Sequence, residues 1–435
     1  MKLRPVLGPV QLILYSVGVI VGAGVYSVIG AAAGLAGEGL WLSFMVGAIV
    51  ATLTALSYAE MATAFPAAGA EYVYVRRALP EVGWLSILTA AIILFGGAST
   101  AATVAIAFGG YLGMFIDVDP LVGAGLILAF CTTFNLWGIR EASWLNALFT
   151  SIEVAGLVLI IAAGLTRNGF LHPLATAPTP GVLPATAVIF FVYLGFEEIA
   201  NLSEEVRKPA RDIPIALFVS LGITTVLYVL VALAAVALVP PGNLAASNAP
   251  LATALQAAWP QATWLLSAIA LFATANTVLI TLIATSRVAF SMARGGDLPA
   301  ILGRVGATRR TPWTAGLLLL LVSLVLLPLG DLKLLAEVSS FSALMAFLAV
   351  NLSLIILRYR LPGQRRPFTV PLAIGRMPIL PVFAIASIGV LLASFDPTIV
   401  AISILLIVAT VSLAARQYIN HIRAGTIRSP LRFRR

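Results

Sequence analysis

Twelve stretches of this chain are long and apolar enough to be membrane helices, each of which needs about 20 predominantly apolar residues. They run approximately over 8–35, 40–64, 83–115, 121–139, 145–166, 184–203, 213–239, 263–290, 313–330, 333–357, 377–395 and 398–415, and they use most of the 435 residues. With 60% hydrophobic and 10% charged residues, the chain has no room for a separate water-soluble domain. The first stretch is too long for the core of a cleavable signal peptide, which spans about 7–15 residues. It is expected to remain as span 1.

Basic residues orient these spans. Placing the N-terminus in the cytoplasm and alternating sides puts 24 of the 26 Lys and Arg on the inside, leaving Arg167 and Lys333 outside. Cytoplasmic loops are the ones that carry the excess of Lys and Arg, so both ends are expected inside the cell membrane. The charges are spread over every inner loop, which argues against a nucleic-acid surface. The tail from Arg416 to Arg435 is expected to lie against anionic lipid headgroups. A single cysteine, Cys131, excludes an intrachain disulfide framework, and His172 and His421 make no metal cluster.

Two spans look interrupted. Span 1 contains Gly18, Gly22, Ala23 and Gly24, and Gly22 falls roughly 18 Å along the helix from Val10. The four-residue spacing of Gly18 and Gly22 also fits a small-residue packing face. Span 6 reads Tyr193-Leu194-Gly195-Phe196-Glu197-Glu198. A carboxylate at the helix centre costs about 3 kcal/mol on insertion scales, which marks these positions as functional. The alternative is that span 6 ends before Glu197. Gly195 lies roughly 16 Å from the outer end, matching the depth of Gly22.

Each interrupted span opens a set of five. An odd number forces the second set to insert upside down, so spans 1–5 and 6–10 are expected to be inverted repeats. Half-helix ends at the midplane expose N–H and C=O groups suited to a carboxylate and an ammonium. Such backbone is tolerated only where it lines a cavity or meets protein.

At these residues the chain resembles the amino acid–polyamine–organocation superfamily of permeases over nearly its whole length. The most specific match is Phe190 to Pro214, with Gly195-Phe196-Glu197, Glu204-Glu205-Val206-Arg207-Lys208-Pro209 and Arg211-Asp212-Ile213-Pro214. Gly22-Ala23-Gly24-Val25-Tyr26, Tyr58-Ala59-Glu60 through Phe65-Pro66 to Gly69, Ser286-Arg287, Met292-Ala293-Arg294, Asp297-Leu298-Pro299 and Thr311-Pro312-Trp313 support it.

The resemblance implies an all-α membrane fold of twelve transmembrane helices working by alternating access. Residues 8–169 and 184–358 would be the two five-helix inverted repeats, 376–416 two further helices, and 417–435 a basic cytoplasmic tail. It also implies that the backbone at Gly22, Ala23 and Gly24 takes a substrate carboxylate, and that carbonyls around Tyr193, Leu194 and Gly195 take the amino group. Phe196 would cover the substrate, and Glu197 would belong to the gating and proton-sensing apparatus. The family often has a serine where this chain has Ala23, so only main-chain donors remain there. Several proton-coupled members carry a lysine on helix 5, whereas this chain has Glu153 in that stretch.

Glu153 lies roughly 10 Å deep in span 5, and Thr281 roughly 9 Å from the inner boundary in span 8. Thr274, Thr277, Thr281 and Thr285 fall on one helical stripe at about 100° per residue. A carboxyl in apolar surroundings stays neutral unless paired. Glu153 is expected to face the break of span 1 and this stripe, alternating between protonated and ionised forms. In a variant it holds Na⁺ together with Thr281 or Thr285, and in another the threonines merely bond back to the preceding turn.

Glu60 is expected in a structural or gating contact, and Glu337 at a solvated or capped helix end. Asn135, Asn276 and Asn351 are interhelical hydrogen-bond candidates, and Ala245 to Trp259 an outer cap helix. The side-chain pocket is expected near Gly97, Ser99, Val192 and Phe341. The function that follows is secondary transport of amino acids or related amines, coupled to H⁺ or Na⁺ or exchanging, with no other cofactor. The partners are the bilayer and a small-molecule substrate, with a monomer or weak homodimer as the assembly. A polyamine or cationic amine antiporter is the nearest alternative and an amine-gated channel the contrasting class. No nucleophile–base pair or phosphate loop points to an enzyme.

Overall fold

A computed structural model of the chain describes residues 8–66, 70–137, 143–176, 179–201, 203, 206–295, 298–306, 311–329, 331–405 and 408. Gly69, Arg140, Glu204, Glu205, Asp297, span 12 beyond residue 405 apart from 408, and the tail 417–435 lie outside them.

The protein is a helical, multi-pass membrane protein. Six helical stretches among the described residues are long and apolar enough to cross a bilayer: Gly24–Ala64, Ile87–Leu112, Val182–Ala200, Pro209–Leu238, Pro260–Phe290 and Leu332–Arg360. A seventh arises if Ile379–Ala393 and Pro397–Leu405, bent by 107° at their junction, count as one. Pro9–Val21, Pro120–Leu136, Thr150–Leu165 and Trp313–Leu329 are shorter apolar helices. Helix occurs at all twelve sequence positions, but breaks and short segments leave six or seven that pass on length and hydropathy. The described residues also hold a two-residue antiparallel pair, Ala373–Ile374 with Met377–Pro378, in an otherwise helical fold.

The helices are α1 (Pro9–Val21), α2 (Gly24–Ala36), α3 (Leu40–Ala64), α4 (Ala70–Ala78), α5 (Gly83–Leu112) and α6 (Pro120–Trp137). There follow α7 (Ser143–Leu165), α8 (Val182–Ile189), α9 (Glu198–Asn201), α10 (Pro209–Leu238), α11 (Pro241–Ala245) and α12 (Pro250–Ala258). The chain continues through α13 (Thr263–Gly295), α14 (Trp313–Leu326), α15 (Leu332–Arg360) and α16 (Ile379–Ala393) to α17 (Pro397–Leu405). The most extensive packing is of α5 on α13, α15 and α6, and of α10 on α3 and α1. The segment expected as an outer cap contains α12, which packs on α2, α7, α10 and α13.

Polar side chains hold these apolar helices together, as expected where lipid supplies no hydrogen bonds. Asn351 on α15 accepts from the Ser57 hydroxyl on α3 at 2.7 Å. Asn135 on α6 donates to Leu282 O and Ser286 Oγ on α13, at 3.5 and 3.4 Å. At the start of α15 the cap is Asp331, whose carboxylate accepts from the Lys333 N–H at 2.9 Å. Glu337 is one turn further in, buried, and 3.9 Å from the Lys333 ammonium. It is an ion-pair member and not the cap, because Asp331 has the extended backbone that lets a side chain reach the first free N–H.

Glu60 has a structural role. Fully buried near the C-terminal end of α3, it accepts from Arg358 Nε at 2.9 Å, Arg366 Nη1 at 3.0 Å and the Val370 N–H at 2.8 Å. A second Arg358 nitrogen bonds its other oxygen, making that pair two-pronged. These bonds fasten α3 to the end of α15 and to the segment after it. Beside them, Arg360 bonds the exposed Glu81 carboxylate and holds it below the usual carboxylate range.

Removing one member of a buried ion pair leaves the other charged and desolvated, at a cost of about 3–5 kcal/mol. Glu60→Gln is therefore expected to lower the unfolding temperature of the detergent-purified protein markedly. Glu60→Gln combined with Arg358→Met should recover part of the loss. Equal unfolding temperatures for wild type and the single variant would show that the network does not hold α3 to α15.

Candidate functional site

The backbone of α1 stops at Val21 and that of α2 resumes at Gly24. An N–H in the first turn of a helix has no carbonyl one turn back to accept it. At this break the N–H of Gly22 still reaches Gly18 O at 3.2 Å. The N–H of Ala23 instead donates to the Thr277 hydroxyl on α13 at 3.0 Å. A side chain at position 22 would put its Cβ 2.8 Å from that same hydroxyl oxygen, so the approach requires glycine.

The second break lies between α8 and α9. A tight turn over Phe190–Tyr193 follows α8, Leu194 is extended, and Gly195 takes φ +116°, a region that side chains disfavour. The Gly195 N–H donates to the Glu197 carboxylate at 2.8 Å. A Cβ on Gly195 would lie 2.7 Å from Val19 Cγ1, and one on Gly24 would lie 3.1 Å from Val192 Cα. The two breaks are therefore in direct contact.

Tyr228 on α10 joins them. Its hydroxyl donates to Ile20 O at 2.6 Å, with Val192 O at 3.3 Å as a second, weaker acceptor. Both carbonyls belong to helix ends that have lost their intrahelical partners. Tyr26 of α2 donates its hydroxyl to Glu153 O at 2.7 Å, and Tyr111 donates to Tyr26 O at 3.0 Å. Sequence reasoning passed over Tyr228. The one tyrosine of span 7 was the available signal, since a buried tyrosine hydroxyl usually finds a partner.

A cavity of about 190 Å³ opens between the breaks and the facing helices α5, α13 and α15. A buried water needs at least ~10–15 Å³ by this measure, so the space suits a small metabolite. Gly22, Ala23, Gly24, Leu194, Gly195, Glu197, Thr281 and Thr285 all line it. Tyr193 and Phe196 do not. Tyr193 turns outward to donate to Phe44 O at 2.9 Å, and Phe196 packs on Tyr58 and Phe347 with centroids 5.7 and 5.1 Å apart. The aromatic rings on the cavity wall are Phe191 and Phe347, with Tyr15.

Of the four side-chain-pocket positions, Gly97 and Val192 line the cavity. Ser99 instead donates to Leu335 O at 2.8 Å, and Phe341 packs on Phe395. Three carboxylates, Glu71, Glu197 and Glu198, share the lining, and no Lys, Arg or His does among the described residues. Glu71 comes from α4, an element outside the apolar spans, and its carboxylate accepts from the Tyr58 hydroxyl at 2.9 Å.

Glu153 sits behind the wall. It is 1% exposed, its Oε1 accepts from the Asn276 side-chain amide at 3.4 Å, and its Oε2 has no hydrogen-bond partner among the described residues. Its contact on α13 is thus Asn276, which itself lines the cavity, and not Thr281 or Thr285. Of the expected threonine stripe, Thr277, Thr281 and Thr285 reach the cavity, while Thr274 bonds back to Ala270 O at 2.7 Å.

A family model for amino acid permeases matches residues 7–420 of this chain. The vacuolar cationic amino acid transporter 4 of Arabidopsis thaliana is 32% identical over 82% of the chain, which spans 64% of that relative's length. A branched-chain amino acid permease of Bacillus subtilis is 29% identical over 88% of the chain and 86% of its own length. An uncharacterized transporter of Mycobacterium tuberculosis is 31% identical over 82% of the chain and 81% of its own length.

Tyr228→Phe removes one hydroxyl and strands the Ile20 carbonyl, a loss of about 1–3 kcal/mol. It should lower thermal stability and speed amide exchange at residues 20–24 more than at α16. Gly195→Ala meets both a disfavoured φ and the Val19 side chain, and is expected to be the more damaging of the two in the same assays.

Proposed function

This chain belongs to the amino acid permease family of the amino acid–polyamine–organocation superfamily, and on that premise we propose that it is a secondary active transporter of amino acids or related amines. Proteins of this family are transporters and not enzymes. The observation that carries the reading is the meeting of two broken helices, α1/α2 and α8/α9, over a cavity that both of them line. Free helix ends of opposite polarity at one place suit a zwitterion, with N–H groups for its carboxylate and carbonyls for its ammonium.

In this reading twelve spans form the transporter in the cell membrane, with both termini in the cytoplasm, working as a monomer or weak homodimer. Residues 8–169 and 184–358 are the two inverted repeats, followed by the pair 376–416 and the basic tail 417–435. Rocking of one helix group against the other alternately opens the cavity to each side. Gly22, Ala23 and Gly24 hold the carboxylate, Leu194 and Gly195 offer carbonyls to the amine in place of the Tyr193 first expected beside them, and Glu197 links occupancy to gating. Phe191 and Phe347 supply the aromatic wall first expected of Phe196.

Coupling is assigned to Glu153. An ionisable group so deep in the membrane is functional by default, and its unpartnered oxygen supports a proton that comes and goes. The Na⁺ variant draws less support, since the hydrogen bond from α13 to Glu153 comes from Asn276 and not from Thr281 or Thr285. A cationic substrate is a second reading. It is favoured by the three carboxylates of the lining and by the name of the plant relative, a cationic amino acid transporter.

A thermal-shift screen of the purified protein against amino acids and polyamines identifies the substrate, because a ligand that binds only the folded state raises its apparent stability. In proteoliposomes, uptake of that substrate should saturate and should collapse with an ionophore, whereas a non-saturating current would mark a channel. Glu153→Gln is expected to abolish accumulation driven by an imposed pH gradient while leaving exchange across the membrane. Undiminished gradient-driven accumulation by that variant removes Glu153 from coupling.

A further inference from the structure

Ala23 has no hydroxyl of its own, yet a hydroxyl sits at the break. Thr277 Oγ1 on α13 accepts the Ala23 N–H at 3.0 Å, and Thr277 lines the cavity. Thr274, one turn away, returns its proton to Ala270 O at 2.7 Å and Leu271 O at 3.0 Å. Thr277 makes no such bond back to its own helix, and its proton has no acceptor among the described residues. Gly24, which lines the same cavity, opens the first turn of α2, where N–H groups lack an intrahelical acceptor. An oxygen that accepts one hydrogen bond becomes a better donor of its own proton.

From this geometry we infer that Thr277 is a carboxylate-binding residue of the substrate site. Its hydroxyl accepts from the Ala23 N–H and donates to the substrate carboxylate, which the first turn of α2 receives on its other side. The inference rests on the reading of the break as the substrate site and names a side chain from a different helix as part of it. It has a consequence for specificity. Thr277 favours ligands that keep the carboxylate over the amines formed by its loss, whatever side chain the three acidic residues select.

A hydrogen bond to a charged group contributes enough to change affinity by about tenfold to a hundredfold. The test begins with the full-length protein in detergent and thermal-shift titrations of the twenty proteinogenic amino acids. The strongest binder is then titrated on three variants. Thr277→Ser keeps the hydroxyl and should stay within fivefold of wild type. Thr277→Val keeps the shape without the hydroxyl, and Thr277→Cys replaces it with a weak S–H donor. Both should weaken binding by more than fivefold.

Binding by the Val and Cys variants within fivefold of wild type overturns the inference. So does a Ser variant weakened as much as they are, since that marks a steric role. If Thr277→Val is not monodisperse, the Ser and Cys variants decide alone, because they differ by a single atom. Where the wild type binds none of the twenty but binds a polyamine, this inference falls and the transporter reading stands; where it binds neither, both fall. Where the wild type binds but all three variants bind alike, only the inference falls.

Discussion

A backbone amide inside a membrane protein has no water to turn to, and the architecture around the two helix breaks follows from that constraint. Interrupting a helix midway frees N–H and C=O groups that each cost several kcal/mol if left unmet. This protein meets them with side chains sent from other helices. Tyr228 of α10 takes the carbonyl end of α1, Thr277 of α13 takes the N–H of Ala23, and Glu197 folds back on the Gly195 N–H. Gly22, Ala23 and Gly24 of the first break and Leu194 and Gly195 of the second line the cavity.

The same economy of partners separates the buried carboxylates by their surroundings. Glu60 is surrounded by two guanidinium groups and a backbone N–H, and these contacts tie the end of α3 to the end of α15 and to the segment after it. Glu153, equally buried, has one long hydrogen bond and an unmatched oxygen. A saturated carboxylate is a fastening, and a half-satisfied one is free to change its protonation or its partner. Asn276 and Thr277 are neighbours on α13, so one stretch of helix touches both Glu153 and the break in span 1. In the proposed transporter, that adjacency gives coupling and substrate binding a shared mechanical element.

Much of this was written in the linear chain. Helix at twelve positions followed from apolar length, and the Gly22–Gly24 and Gly195 interruptions followed from glycines and carboxylates at depths where neither is expected by chance. The ionisable residues stood out for the same reason, since a charge inside hydrocarbon is expensive wherever it occurs. Phe196 was legible only as an aromatic next to the break, and its ring turned out to pack on Tyr58 and Phe347 while Phe191 reached the cavity. The direction of a side chain in unwound backbone depends on φ and ψ values that no helical period supplies. Tyr228 and Glu71 were passed over because each lies far in sequence from the site it serves.

The sequence by itself determined which segments are helical and apolar and where the helices fail, because hydrophobic length, glycine content and the cost of a buried charge are local properties. Only the tertiary structure decided who answers each failure: Tyr228 across to Ile20 and Val192, Thr277 to Ala23, Asn276 to Glu153, Arg358 and Arg366 to Glu60. These pairings join positions separated by as many as 306 residues. They are fixed by how the helices pack against one another, which sets distances that spacing along the chain does not contain.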